Sequence, residues 1–224
     1  MTNIVFMKSV MLVHGAWHGS WCWEMVERGL NDIGIETCSI NLPFTGVEDD
    51  VASVEKAIAE AEKKVVLVGH SYGGIVISKA AEAKKKVEHL VYVCAILLKS
   101  GESMKLDGSK IKVEVDESLL SVVKPEAIVP AFYEDVDLEL AKSSIKMLRP
   151  FPIVAGSKGL GEAWREKPST YIVCRNDAAI PPNIQNSMAQ KASRILEWDC
   201  AHSPFFSNPE LLITLLTELA LASD

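Results

Sequence analysis

The sequence predicts an α/β protein, a mostly parallel central sheet with helices on both faces and a small insertion. Three observations predict it. Short β-branched runs alternate with amphipathic segments through the first hundred residues, the pattern of a parallel sheet covered by helices. One such run passes through "VGHSYGGIV", Val68 to Val76, from strand-like into helix-like sequence. The alternation then breaks from about residue 97 to 168 and resumes.

The elements follow in order. "SVMLVHG" reads as a strand, "WCWEMVERGLNDIG" as a helix ending at Gly34, and "IETCSINL" as a strand. "DVASVEKAIAEAEKK" has helical spacing, "VVLVGH" is a fully apolar strand, and "SYGGIVISKAAEA" returns to helical spacing before the strand "VEHLVYVCA". From about 97 to 168 the chain carries Pro125, Pro130, Pro150 and Pro152, acidic patches, and short helical pieces such as "VDLELAKSSIKML". It reads as an insertion into a single domain covering 1–224. "STYIVCRND" and "RILEWD" then read as strands, "PNIQNSMAQKAS" and "PELLITLLTELALAS" as helices.

Composition narrows the function classes. The 224 residues allow a sizeable core, and 48% hydrophobic with 24% charged residues is ordinary for a globular domain. A net charge of −7 argues against nucleic acid or an anionic membrane surface as partner. No apolar run has the ~18 residues of a transmembrane helix, and the start lacks the charge and cleavage pattern of a signal peptide. Cys22, Cys38, Cys94, Cys174 and Cys200 are odd in number with no CxxC spacing. They read as free thiols in a cytoplasmic protein. No histidine cluster has metal-ligand spacing, so neither metal nor other cofactor is expected. Lys84 to Lys86 read as a solvated helix end. The sequence leaves monomer and homodimer open.

The glycines around Ser71 raise the chemical question. A serine hydroxyl is a weak nucleophile at neutral pH, so it needs a base within reach and a partner to orient that base. Its attack on a carbonyl also needs donors for the oxyanion. Gly69-His70-Ser71-Tyr72-Gly73 has the form G-x-S-x-G between a strand and a helix, the context that makes this motif a nucleophile elbow. A serine capping an ordinary turn is the plainer reading. Two later segments favour the elbow. Asp177 follows the strand "STYIVC" and His202 follows "RILEWD", which completes the order Ser, Asp, His. His14-Gly15-Ala16, after the first strand, places the Ala16 amide as a second oxyanion donor beside that of Tyr72. Trp17, Phe132 and Met147 are candidate walls of the substrate pocket. His14 and His70 read as structural, His18 as a residue that could face the pocket mouth, and His89 as a surface residue.

"LVHGAWHGSWCW", "GHSYGG", "YIVCRNDAAIPP" and "AHSPFFSNPE" resemble the α/β-hydrolase superfamily. More narrowly they resemble the plant methylesterase and hydroxynitrile lyase group and its bacterial esterase relatives. The resemblance implies Ser71 as nucleophile, His202 as general base and acid, Asp177 as the residue holding His202, and Ala16 and Tyr72 as oxyanion-hole amides. It implies that the insertion caps the site. Ser203 stands where the lyases use a lysine, and Gly15-Ala16 where they place a threonine, which favours hydrolysis. The expected function is hydrolysis of a small or medium apolar carboxylic ester, such as a methyl or aryl ester. The alternatives are thioester, C–C or lyase chemistry on the same triad, or a slow-turnover ligand receptor on the hydrolase fold.

Overall fold

A computed structural model describes residues 7–222 except 104 and 157. The expectation about a leader falls in part on residues 1–6, outside the described residues. The first half runs β1 (Ser9–Val13), α1 (Glu24–Asp32), β2 (Thr37–Ile40), α2 (Val47–Glu60), β3 (Val65–His70), α3 (Gly73–Ala80) and β4 (Val87–Val93). Between β4 and the next long strand lie β5 (Val113–Val115), β6 (Leu120–Val123), α4 (Pro125–Phe132), α5 (Leu138–Ile145) and β7 (Phe151–Pro152). The chain closes with β8 (Ser169–Cys174), α6 (Pro182–Ala189), β9 (Arg194–Trp198), α7 (Pro204–Ser207) and α8 (Pro209–Leu221).

Six strands form one sheet in the order β2-β1-β3-β4-β8-β9, and every neighbouring pair is parallel. The central strands feed two cores by the period of two that a pleated strand imposes. Val10 and Leu12 of β1, with Val66 and Val68 of β3, join Leu30 of α1 and Leu216 of α8 on one face. Met11 and Val13, with Val65 and Leu67, join Ile58 of α2 and Ile77 of α3 on the other. Each fully buried aliphatic side chain contributes roughly 1.5–3 kcal/mol. Two-sided burial is why β1 and β3 read as unbroken apolar runs instead of alternating ones.

The segment between β4 and β8 differs from its sequence reading. It holds two short helices as expected, but also an antiparallel sheet in the order β5-β6-β7. Strands of three, four and two residues are too short to show a period, so only the helices were legible. Asp137 caps α5 by accepting from the amides of Glu139 and Leu140.

The strand order fixes where a site can form. The chain leaves β1 toward β2 on one side and returns to place β3 on the other. The strand order therefore reverses at the carboxyl ends of β1 and β3, where a crevice opens that helices cannot cover.

Candidate active site

Two turns meet at that crevice. The first follows β3. Ser71 has φ +51, in the left-handed region, at an energetic cost that persists only where the surroundings enforce it. Its carbonyl accepts from the amides of Gly74 and Ile96, at 3.0 and 2.9 Å, and its own amide donates to Val93. Glycine is required on either side. A Cβ on Gly69 would stand 2.7 Å from the carbonyl oxygen of Gly73, and one on Gly73 would stand 2.7 Å from that of Val13. Strand, helix and the end of β1 therefore touch backbone to backbone, which pushes the Ser71 side chain out of the turn.

The second turn follows β1 and contains Gly15, Ala16 and Trp17. Trp17 has φ +61, a conformation a large side chain rarely adopts. Ala16 and Tyr72 are buried residues, and neither backbone amide has an acceptor among the described residues. Buried donors are usually paired, and both residues line the same cavity as Ser71.

Asp177 follows β8 and His202 follows β9, two neighbouring parallel strands. His202 Nδ1 donates to Asp177 Oδ2 at 2.7 Å, and both side chains are almost wholly buried. Asp177 is held on every side. Its Oδ1 accepts from the amides of Ala179 (2.7 Å) and Ile180 (2.9 Å), and its Oδ2 also accepts from Gln185 Nε2 at 2.8 Å. Gln185 is fully buried and bonds the backbone of Cys174 and Ile180 as well. The other acid near His202 in sequence, Asp199, has a 74% exposed side chain and pairs with Arg175 at the surface.

The remaining histidines hold backbone. His70 Nε2 donates to the His202 carbonyl at 2.9 Å, and Cys94 Sγ reaches the same oxygen at 3.4 Å. Donor atoms of His70, Cys94 and His202 lie within 4.8 Å of one another, and this shared carbonyl accounts for their convergence. His14 Nδ1 donates to the Gly15 carbonyl while its Nε2 accepts from the Leu42 amide. His18 Nδ1 donates to the Ala16 carbonyl while its Nε2 accepts from the Tyr133 hydroxyl. Burial lowers the pKa of His14 to about 3 and that of His18 to about 4, and it holds His70 well below the ordinary value. All three are neutral at pH 7.

Ala16, Trp17, Ser71 and Tyr72 line a cavity of about 230 Å³ whose other walls include Ile96, Leu106, Ile111, Phe151, Ile153 and Ile180. No described lining residue is ionised. Trp17 is therefore a wall of this cavity, and Phe132 and Met147 do not line it. Phe132 is buried against the His202 ring, with centroids 5.7 Å apart, so it covers the back of the imidazole. Met147 lies just beyond α5 and is 47% exposed. His18 is buried under Phe132 and Tyr133 rather than at a mouth. His89 is half-buried and bonds Thr170 across β4 and β8, so it is not a free surface residue. Sequence reasoning missed Gln185, and also Asp50, which is buried and accepts from the Tyr72 hydroxyl at 2.7 Å and the Phe44 amide at 2.9 Å. In the sequence Asp50 is indistinguishable from an acid in the first turn of a helix.

A sheet of this order, with an elbow serine after β3 and an Asp–His pair after β8 and β9, defines an α/β hydrolase. The chain belongs to the Alpha/beta hydrolase family, whose profile matches residues 10–215. It is similar to Methylesterase 7 of Arabidopsis thaliana, at 29% identity over 95% of this chain and 96% of that one. It is also similar to Alpha/beta hydrolase nvfD of Aspergillus novofumigatus, at 28% identity over 95% and 96%. Among solved structures, the Arabidopsis methylesterase MES16 superposes with a TM-score of 0.81 at 25% identity, covering 95% of this chain and 98% of that one. A pyrethroid hydrolase from Sphingobium faniae shares the fold, with a TM-score of 0.82 at 23% identity over 96% and 98%.

Proposed function

We propose that the protein is a serine hydrolase that cleaves small or medium-sized apolar carboxylic esters through an acyl-enzyme. The observation that carries this reading is the buried Asp177–His202 contact of 2.7 Å, with the His202 ring 4.6 Å from that of His70, the residue before a serine held at φ +51. Because Nδ1 of His202 donates to Asp177, the lone pair of the neutral ring lies on Nε2, which has no hydrogen-bond partner among the described residues. Nε2 accepts the Ser71 proton as Oγ attacks the ester carbonyl. The oxyanion forms between the amides of Ala16 and Tyr72. His202 then protonates the departing alkoxide and activates the water that releases the acid. No step requires a cofactor.

The substrate class rests on the cavity. Aliphatic and aromatic walls without an ionised side chain favour neutral, apolar groups, in keeping with the methylesterase relatives. The segment between β4 and β8 supplies Leu106, Ile111, Phe151 and Ile153 to those walls and acts as a small cap. Ser203 is buried with a neutral hydroxyl, so the position after His202 offers no charge to steady cyanide. This supports hydrolysis over lyase chemistry.

Labelling with a fluorophosphonate probe, together with turnover of p-nitrophenyl acetate and butyrate, tests the reading. The parent protein should be labelled at Ser71 and turn over steadily, and Ser71→Ala should remain folded while losing both. A burst without steady release would mark a receptor that retains the site. Labelling at another serine would overturn the assignment.

A further inference from the structure

Peptide groups carry their N–H and C=O in opposite directions, so holding a carbonyl aims the amide of the same plane. In the loop after β1, four successive carbonyls each have a donor. Gly15 is held by His14 Nδ1 at 2.9 Å and Ala16 by His18 Nδ1 at 2.9 Å. The next two are held by one residue from outside the loop. The Arg149 amide donates to the Trp17 carbonyl at 2.7 Å, and its guanidinium donates to the His18 carbonyl from Nε (3.2 Å) and Nη2 (3.0 Å). Nη2 also reaches the Leu42 carbonyl at 3.1 Å, and the guanidinium lies over the Phe44 ring, 4.6 Å from its centroid.

The Ala16 N–H shares its plane with the Gly15 carbonyl, which His14 holds, so a group on the Trp17 and His18 carbonyls acts on it one step removed. We propose that Arg149 is a positioning residue for the oxyanion hole: by holding the two peptide planes beyond the left-handed Trp17 it keeps the loop in the shape that aims the Ala16 amide. The inference rests on the serine-hydrolase reading above. Its physical basis is the left-handed Trp17, which follows Ala16 directly. A bulky residue there is strained and stays only if its surroundings over-determine it. His14 and His18 lie within the loop and move with it. Arg149 follows α5, so it ties the loop to the segment between β4 and β8 and makes the hole depend on how that segment is seated. A lysine keeps the backbone bond to Trp17 but cannot reproduce the fork, because its single ammonium cannot meet the His18 and Leu42 carbonyls from two nitrogens.

The experiment compares the full chain with Arg149→Met and Arg149→Lys. Each is measured on p-nitrophenyl butyrate and with two inhibitors, an alkyl trifluoromethyl ketone and the matching secondary alcohol. The ketone carbon is attacked by Ser71 Oγ and its oxygen becomes the oxyanion, whereas the alcohol fills the cavity without one. Losing a whole oxyanion donor costs about 10²–10³ in kcat, so misaiming one should cost about 10–100-fold. Arg149→Met should lose that much kcat with KM within about threefold, and ketone affinity should fall in step while alcohol affinity holds. Arg149→Lys should lie between. If Arg149→Met does not fold, Arg149→Lys carries the same comparison, with a kcat loss of at least fivefold and the ketone–alcohol split expected. A folded variant with kcat within threefold of the parent overturns the proposal, as does equal weakening of ketone and alcohol. Fluorophosphonate labelling of Ser71 in the parent separates the two readings. Without it the hydrolase reading itself fails, whereas with it and an unaffected variant only the role of Arg149 fails.

Discussion

Asp177 accepts four hydrogen bonds on two oxygens, and only one of the four comes from His202. The other three fix the direction in which Oδ2 faces the imidazole. Asp177→Asn would leave the packing nearly unchanged but offer an amide where His202 needs an acceptor. It should lower kcat by about three to four orders of magnitude with KM much less affected. Asp199→Asn touches only a surface pair with Arg175 and should cost less than about tenfold. Both variants are to be measured on one activated ester after circular dichroism shows them folded. A crippled Asp199→Asn beside an active Asp177→Asn would reverse the assignment of the acid. Ser71 drew attention in the sequence because it directly follows the apolar strand β3, and Asp177 and His202 because they come after the next two strands in the order Ser, Asp, His. Gln185 and Asp50 were not legible, since a glutamine inside a helix and an acid in a first helical turn look the same whether they face water or a buried partner.

At the scale of elements, the site depends on how closely β3, α3 and the end of β1 approach. Gly69→Ala places a methyl 2.7 Å from the Gly73 carbonyl oxygen and 2.9 Å from Ile77 Cδ1. The side chain of Ile77 can turn aside, but the backbone of Gly73 cannot move without tilting α3. Overpacking of this kind typically costs about 1–3 kcal/mol. Gly69→Ala should therefore lower the midpoint of urea unfolding and reduce kcat more than that loss of stability explains, because Tyr72 and Ser71 move with α3. An unchanged midpoint with full activity would show that the elements have slack. Strands β1, β3, β4 and β8 were readable because burial on both faces demands continuous apolar sequence. The edge strand β9, with Arg194 and Glu197 exposed, was readable by its place between two helices. Helix α2 starts at Val47, ahead of its expected start at Asp50, because Gly46 and three acids form a first turn that carries no apolar period. The β5-β6-β7 sheet had no signal, since its strands draw stability from covering the cavity rather than from a pattern of their own.

At the scale of the whole molecule, the buried histidines make stability depend on pH. His14 and His18 titrate at about 3 and about 4 in the fold, with desolvation by burial the largest cause, and His70 lies well below the ordinary value. Each binds its proton more weakly folded than unfolded, so unfolding takes up protons once the pH drops below about 6.5. Stability therefore falls with acidification, by up to about 1.4 kcal/mol per pH unit for each such group, and the fall levels off only near the folded values. Asp50 acts in the opposite direction. Burial raises its pKa, so the folded state takes up the proton more readily and this carboxyl opposes the loss as the pH falls. His89, half-buried and also lowered to about 4, adds to the loss, and one partly screened carboxyl does not offset four imidazoles. Melting temperatures from pH 7.5 down to 4.5 at constant ionic strength should decline steadily below about 6.5. The decline should be shallower in His18→Gln, in which the amide cannot titrate. A melting temperature that holds or rises toward pH 5 would mean that these imidazoles reach water in the folded state, and the loop they hold would then be looser than its hydrogen bonds imply.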